Sequence, residues 1–204
     1  LELTGSPAEV LTTIPSFEKL PPERLGLGAN NHADVVVALK AGGQPPVPVG
    51  LVSKTYNLVQ HGEVIDRALR WIKSVPGATE PDRIELSATA NFERILARFS
   101  LGENLSISPD GKPVVLQLLC RNSVDGSTAI RARLGWFRLV CSNGMIVGVT
   151  LGKTRLTHKP DAELDDAFAP LSEEVGIVAK DKERIEKWAS TSAPLDLART
   201  WVAG

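Results

Sequence analysis

Little in this sequence announces a reaction. Cysteine is scarce, with only Cys120 and Cys141 in 204 residues, and these two do not suit a disulfide. In the strand pairing argued below, Cys120 faces a residue near position 131, and Cys141 lies about ten residues further along that strand, which at about 3.3 Å per residue is roughly 30 Å and far beyond bridging distance. Two unpaired thiols fit a reducing cytoplasm. Aromatic residues make up 5% of the chain, which leaves little for stacking on bases. The formal net charge of −1 argues against binding nucleic acid through bulk charge. No stretch approaches the roughly 20 apolar residues of a membrane span, and no signal-peptide pattern is present. There is no Walker loop, no GxGxxG after a strand and no GxSxG elbow. The three histidines, His32, His61 and His158, have no second histidine or cysteine at ligand spacing, so neither a metal site nor a cofactor is expected. They read as solvated side chains at loop edges. Internal repeats, low-complexity tracts and a clear domain linker are likewise lacking. The chain opens on Leu1 without a methionine, as a piece of a longer protein would.

What is present centres on Val114–Met145. Two β-rich runs, Val114–Arg121 and Thr128–Val140, flank the turn formers Asn122, Ser123, Val124, Asp125, Gly126 and Ser127. Asp-Gly between alternating runs is the strongest short-range hairpin signal. Alternation also sets the register. Val114, Leu116, Leu118 and Cys120 share one face of the first strand, and Ile130, Ala132, Leu134 and Trp136 share one face of the second. Paired residues lie on the same face of a sheet, so matching these apolar sets sends Gln117, Arg121, Arg131 and Arg133 to the other side. That register requires a loop with an odd number of residues, and a three- or five-residue loop with Gly126 near the left-handed region is expected. Trp136 is then core.

Around the hairpin the sequence predicts an α+β domain. Residues 1–30, punctuated by Pro7, Pro15, Pro21 and Pro22, read as an N-terminal arm with a short helix, pinned by Ile14 and Phe17. Residues 31–160 form the core domain, with strands at Asp34–Lys40, Val49–Tyr56, Ile84–Ala90 and Phe92–Leu101 besides the hairpin, and Met145–Leu151 as either one more short strand or a buried connector. Pro46 and Pro48 place the 42–48 connection at a sheet edge. Val64, Ile65, Leu69 and Ile72 recur at helical spacing and predict one helix at about 62–75, packed on the sheet, with Asp66, Arg67, Arg70 and Lys73 solvated and Pro76-Gly77 ending it. Residues 161–204 form a C-terminal helical segment packed on the core. Leu164, Phe168, Leu171, Val175, Val178 and Ile185 make an amphipathic stripe that Pro170 breaks or restarts, and Pro194–Val202 makes a last helix. Such a stripe is read as core before partner surface.

Charge is unevenly spread despite the neutral balance. From Arg121 to Lys159 there are seven cations (Arg121, Arg131, Arg133, Arg138, Lys153, Arg155, Lys159) against Asp125 alone. From Pro160 to Glu183 there are eight acids against Lys180 and Lys182. Either the basic sheet meets an anionic partner, or the two blocks pair with each other as an intramolecular clamp or stay solvated. Within the turn, side chains that cap their own backbone explain Asn122, Ser123, Asp125 and Ser127 without catalysis. Cys141-Ser142-Asn143-Gly144 reads as a strand exit and turn rather than a nucleophile, because only Arg138 is near enough to lower a thiol pKa.

The run NSVDGSTAIRARLGWFRLVCSNGM resembles the phage/plasmid-like protein family classed as domain of unknown function 932. There an Asn-Ser-x-Asp-Gly-Ser turn precedes a strand ending in Arg-x-Val-Cys-x-Asn. The matching residues here are Asn122, Ser123, Asp125, Gly126 and Ser127, then Arg138, Val140, Cys141 and Asn143. Val52-Ser53-Lys54-Thr55-Tyr56 ahead of the 62–75 helix is similar to the family's opening, and the resemblance spans roughly Val49 to His158. It implies a role in mobile-element biology and no established reaction. The order β-β-α-β-β-β-β-α also looks like that of Rad-type single-strand annealing proteins, a fold-level analogy that does not fix function.

Three readings follow. The first is a nonenzymatic, cytoplasmic nucleic-acid-binding protein of a phage, plasmid or integrated element. It would bind or anneal single-stranded DNA in recombination through Arg121, Arg131, Arg133, Lys153 and Arg155, and assemble as a homo-oligomeric ring away from any membrane. Asn122, Asp125, Gly126, Trp136, Cys141 and Asn143 would be its structural motif. The second is a protein–protein interaction or regulatory module that uses the 164–185 stripe. The third is an enzyme built on Asp125, Arg121 and Cys141.

Overall fold

The computed structural model describes residues 1–40, 44–102, 105–108, 113–139 and 146–191. In chain order, β1 (Glu2–Gly5), α1 (Pro7–Thr13) and β2 (Ser16–Leu20) come first, followed by β3 (Ala33–Leu39), β4 (Val47–Ser53) and α2 (His61–Lys73). Then come β5 (Ile84–Ala88), β6 (Arg94–Ser100), the two-residue β7 (Ser106–Ile107), β8 (Val114–Ser123), β9 (Arg131–Leu139), β10 (Ile146–Lys153) and α3 (Ala169–Ser190). Single 3-10 turns sit at Pro22–Leu25 and Leu164–Ala167.

Seven strands form one antiparallel sheet in the order β1-β5-β6-β8-β9-β10, with β7 pairing on β8 beyond the end of β6; β2-β3-β4 form a second sheet. This is the α+β architecture expected, an antiparallel sheet built on the 114–140 hairpin with a helix packed on it. The register is the one that alternation requires: Leu116 faces Trp136, Leu118 faces Leu134 and Cys120 faces Ala132. Trp136 and Cys120 are both buried, and Cys120 is a free thiol. Cys141, Asn143 and the predicted Pro194–Val202 helix lie outside the described residues.

The loop parity is as predicted, but the loop is longer. The ladder of β8 with β9 ends at the pair Arg121–Arg131, leaving residues 122–130 as the connection in place of a three- or five-residue loop. Strand β8 runs on to Ser123 because β6 still pairs it there, Ser123 facing Arg94. Ser123 Oγ donates to Thr128 O at 2.8 Å and accepts from Thr128 N at 3.1 Å, closing the wider loop. Gly126 takes φ 76°, the left-handed region expected of it. Strand β4 crosses this connection so closely that a Cβ on Gly50 would lie 2.7 Å from Asp125 Cα.

The first thirty residues are more ordered than an arm with one short helix. They supply an edge strand to each sheet, since β1 pairs β5 and β2 pairs β3. Between these strands α1 starts at a capping box, in which Ser6 N donates to Glu9 Oε2 at 2.8 Å and Glu9 N to Ser6 Oγ at 3.4 Å. Phe17 is buried and Ile14 partly so.

Both long helices cover the same side of the large sheet. The buried face of α2, with Val64, Ile65, Ala68, Leu69 and Ile72, packs on β8. Arg67, expected to be solvated, instead pairs with Asp165 and lies 5.4 Å from the centre of the Phe168 ring. A 3-10 turn at Leu164–Ala167 precedes α3, which restarts at Ala169 with Pro170 in its first turn, where a missing N–H is harmless. Phe168, Leu171 and Val178 are buried, while Leu164, Val175 and Ile185 pack against the core. The stripe therefore faces the core, three of its residues buried and three partly so. No helix among the described residues is long and apolar enough to cross a membrane.

Candidate nucleic-acid interface

The side of the large sheet that faces away from α2 and α3 carries the polar half of every alternating strand. Strand β6 contributes Arg94, Leu96, Arg98 and Ser100, and β8 contributes Val115, Gln117, Leu119 and Arg121. Strand β9 adds Arg131, Arg133, Gly135 and Phe137, and β10 adds Lys153. Register lines these up across the sheet. Leu96 faces Arg121 and Arg121 faces Arg131; next to that row, Arg98 faces Leu119, Leu119 faces Arg133 and Arg133 faces Lys153. Beyond β10, Leu156 bridges Ile130, so Arg155 falls level with Arg131.

The structure thus brings Arg121, Arg131, Arg133, Lys153 and Arg155 onto one face, all of them exposed. It adds two residues that the hairpin pattern alone did not nominate, Arg94 and Arg98 of β6. Their signal was available, because arginines four apart in an alternating strand share a face. Arg98 is the exception in charge, ion-paired with Glu85 at 3.7 Å. Arg94, Arg121, Arg131, Arg133, Lys153 and Arg155 form no ion pair with a described residue. These six cations make no clamp with the acidic segment, which lies with α2 and α3 on the opposite side, where Asp165 pairs with Arg67. Leu96 and Leu119 are half-buried between the cations, apolar floor for long guanidinium stems. The Phe137 ring lies on this face against Gly135 and Gly148 and is only 6% exposed, so it offers no open stacking surface.

Behind this face sits a buried polar network that holds the motif residues. Asn122 is fully buried and, contrary to expectation, does not cap its own turn. Its Nδ2 donates to Val59 O at 3.1 Å and to His61 Nδ1 at 3.0 Å. With Nδ1 accepting, His61 carries its proton on Nε2, which donates to Phe92 O at 2.7 Å. His61 is therefore a core residue and not a solvated one. Burial is the main cause holding its pKa down at about 4, so it is neutral in this network at ordinary pH. Phe92 accepts this bond while sitting at φ 57°, a strained conformation for a bulky side chain. Tyr56 OH donates to Ser123 O at 3.0 Å and its ring stacks on His158 at 4.7 Å. Asp125 does close its own turn, as expected, by accepting from Ser127 N at 2.9 Å and Ser127 Oγ at 2.6 Å. Asp125 and Arg121 share no hydrogen bond or ion pair, so the two described members of the enzyme reading are not assembled. Among the described residues, no group of three His, Cys, Asp or Glu side chains converges as metal ligands.

Where β5, β6 and β8 meet the 122–130 connection, the exposed face dips into a pocket of about 350 Å³. Arg94 and Arg121 line it together with the hydroxyl residues Ser87, Thr89, Ser127 and Thr128.

A family model described as a domain of unknown function, DUF932, matches residues 48–202. Two curated Escherichia coli K12 relatives, the UPF0380 proteins YfjQ and YafZ, are each 30% identical over 80 residues, which is 39% of this chain and only 29% of each relative's length. No solved structure matches the chain significantly.

Proposed function

The chain belongs to the family classed as domain of unknown function 932, and from that premise we propose that it is a nonenzymatic nucleic-acid-binding protein of a mobile element. It holds a single strand across the arginine face, as a step in recombination or annealing. The observation that carries this reading is the set of six cations on the sheet face turned away from α2 and α3, Arg94, Arg121, Arg131, Arg133, Lys153 and Arg155, none of them in an ion pair with a described residue. Unneutralised guanidinium groups suit phosphate because each presents a planar fork of parallel donors. Face charge and net charge are separate matters. The acidic 160–183 segment lies on the other side and Glu85 is taken up by Arg98, so a chain of formal charge −1 still presents a basic surface. The lack of an open aromatic platform among the described residues fits a protein that tracks the backbone and leaves the bases free to pair.

The cytoplasm is the compartment proposed, in keeping with the free, buried Cys120. A homo-oligomer is proposed through β10, an edge strand of the large sheet whose Val149 is 58% exposed, since edge strands are templates for pairing with another chain. The same edge supports the second reading, a protein–protein interaction module with no nucleic-acid contact. A native-gel shift of single-stranded oligonucleotide at rising salt, run beside light scattering, separates them. A salt-sensitive shift supports the first reading, and an assembled protein that shifts no oligonucleotide supports the second.

A further inference from the structure

The basic face stops abruptly on one side, and the pocket lies where it stops. From Arg121 the cations continue across β9 and beyond β10 as Arg131 and Arg155. In the other direction the row passes Leu96 and reaches Ser87 of β5, whose Oγ donates to Glu2 Oε2 at 2.8 Å. A polyanion following the row from β10 thus meets a carboxylate just past the pocket. We propose that the Arg94–Arg121 pocket seats the terminal phosphate of a nucleic-acid strand together with the nucleotide that bears it. This rests on the reading of the face as a single-strand surface and adds that the surface recognises an end.

The lining fits such a unit in three respects. Arg94 and Arg121 are diagonal neighbours in the β6–β8 ladder, about 7–8 Å apart at that spacing, and no carboxylate lines the pocket with them. Two guanidinium groups answer a phosphate monoester better than an internal diester, because the monoester carries up to a second negative charge at neutral pH. The hydroxyls are arranged differently. Ser87 donates to Glu2, Thr89 to Glu93 and Ser127 to Asp125. Their protons are committed, and Thr89 Oγ1 already accepts from Arg94 N at 3.0 Å and Ser87 Oγ from Arg98 Nη1 at 3.4 Å. Each hydroxyl oxygen still has a further lone pair to accept with, which a bare inorganic anion has no donors to meet and a nucleotide's sugar or base does. A volume of about 350 Å³ is at the small end of ligand pockets and takes one such unit rather than several.

Fluorescence anisotropy with short oligothymidylates ending in a 5′-phosphate, a 3′-phosphate or hydroxyls only tests this on the whole chain. One phosphorylated end is expected to bind about tenfold tighter than the hydroxyl-ended strand. Arg94→Gln should bring that ratio close to one. Arg133→Gln, outside the pocket, should weaken all three strands and preserve the ratio. Equal affinities for all three ends in the parent protein, or a preference that survives Arg94→Gln, would overturn the pocket assignment and leave the binding face standing. Failure of every oligonucleotide to bind would overturn both.

Discussion

Arg121 and Arg131 stand directly opposite each other, as the last pair of the β8–β9 ladder, on a face that neither α2 nor α3 covers. Like charges in register oppose pairing, and no described acid neutralises either. Arg131→Gln should therefore raise the melting temperature at low salt, with the gain fading as salt screens the pair. A lowered melting temperature would mean that Arg131 holds the fold together, as a clamp would.

The opposite side of the same strand behaves differently. Trp136 is 1% exposed beneath the helices, and Trp136→Ala should cost about 3–5 kcal/mol in denaturant unfolding. A loss below about 1 kcal/mol would contradict the packing that separates the apolar face from the basic one.

Gly126 turns the connection at φ 76° with Val52 Cγ1 only 3.4 Å from where a Cβ would stand. Gly126→Val should destabilise the chain by about 1–2 kcal/mol from backbone strain alone. A variant that melts with the parent would show that the loop takes another path.

How far the sequence disclosed this arrangement depends on the range of the forces involved. Alternation is local, so the split of the hairpin into Trp136 and Arg133 faces was legible, as was the Phe168–Leu171–Val178 stripe. The loop length was not, because Asn122 is drawn away from its own turn by Val59 and His61, a contact across the fold. Strands β1 and β2 escaped notice for the same reason. Each is short, and the partners that make it a strand, such as Ser87 for Glu2, lie far along the chain. The pocket joins four separate segments around Arg94 and Arg121, and no spacing in the sequence encodes that meeting.

The His61 network makes stability depend on pH. Its folded pKa of about 4 lies below the unfolded value near 6.5, so above 6.5 both states are neutral and nothing is lost. As pH falls from about 6.5 toward 4 the unfolded chain takes up a proton that the folded one refuses, and roughly 3 kcal/mol of stability disappears. His158, also held low by burial, acts in the same direction. Unfolding curves across this window should flatten in part in His61→Gln. A His61 ring that titrates near 6.5 by NMR would refute the buried, neutral assignment.

The central claim is that the exposed arginines carry a nucleic-acid backbone, and the salt dependence of single-strand affinity for the Arg131→Gln/Arg133→Gln variant tests it most directly. Each phosphate neutralised contributes roughly 0.7 to the slope of log affinity against log salt, so losing two contacts should weaken binding to every sequence alike and flatten the slope by about 1–1.5 units. Affinity and slope identical to those of the parent protein would contradict the account.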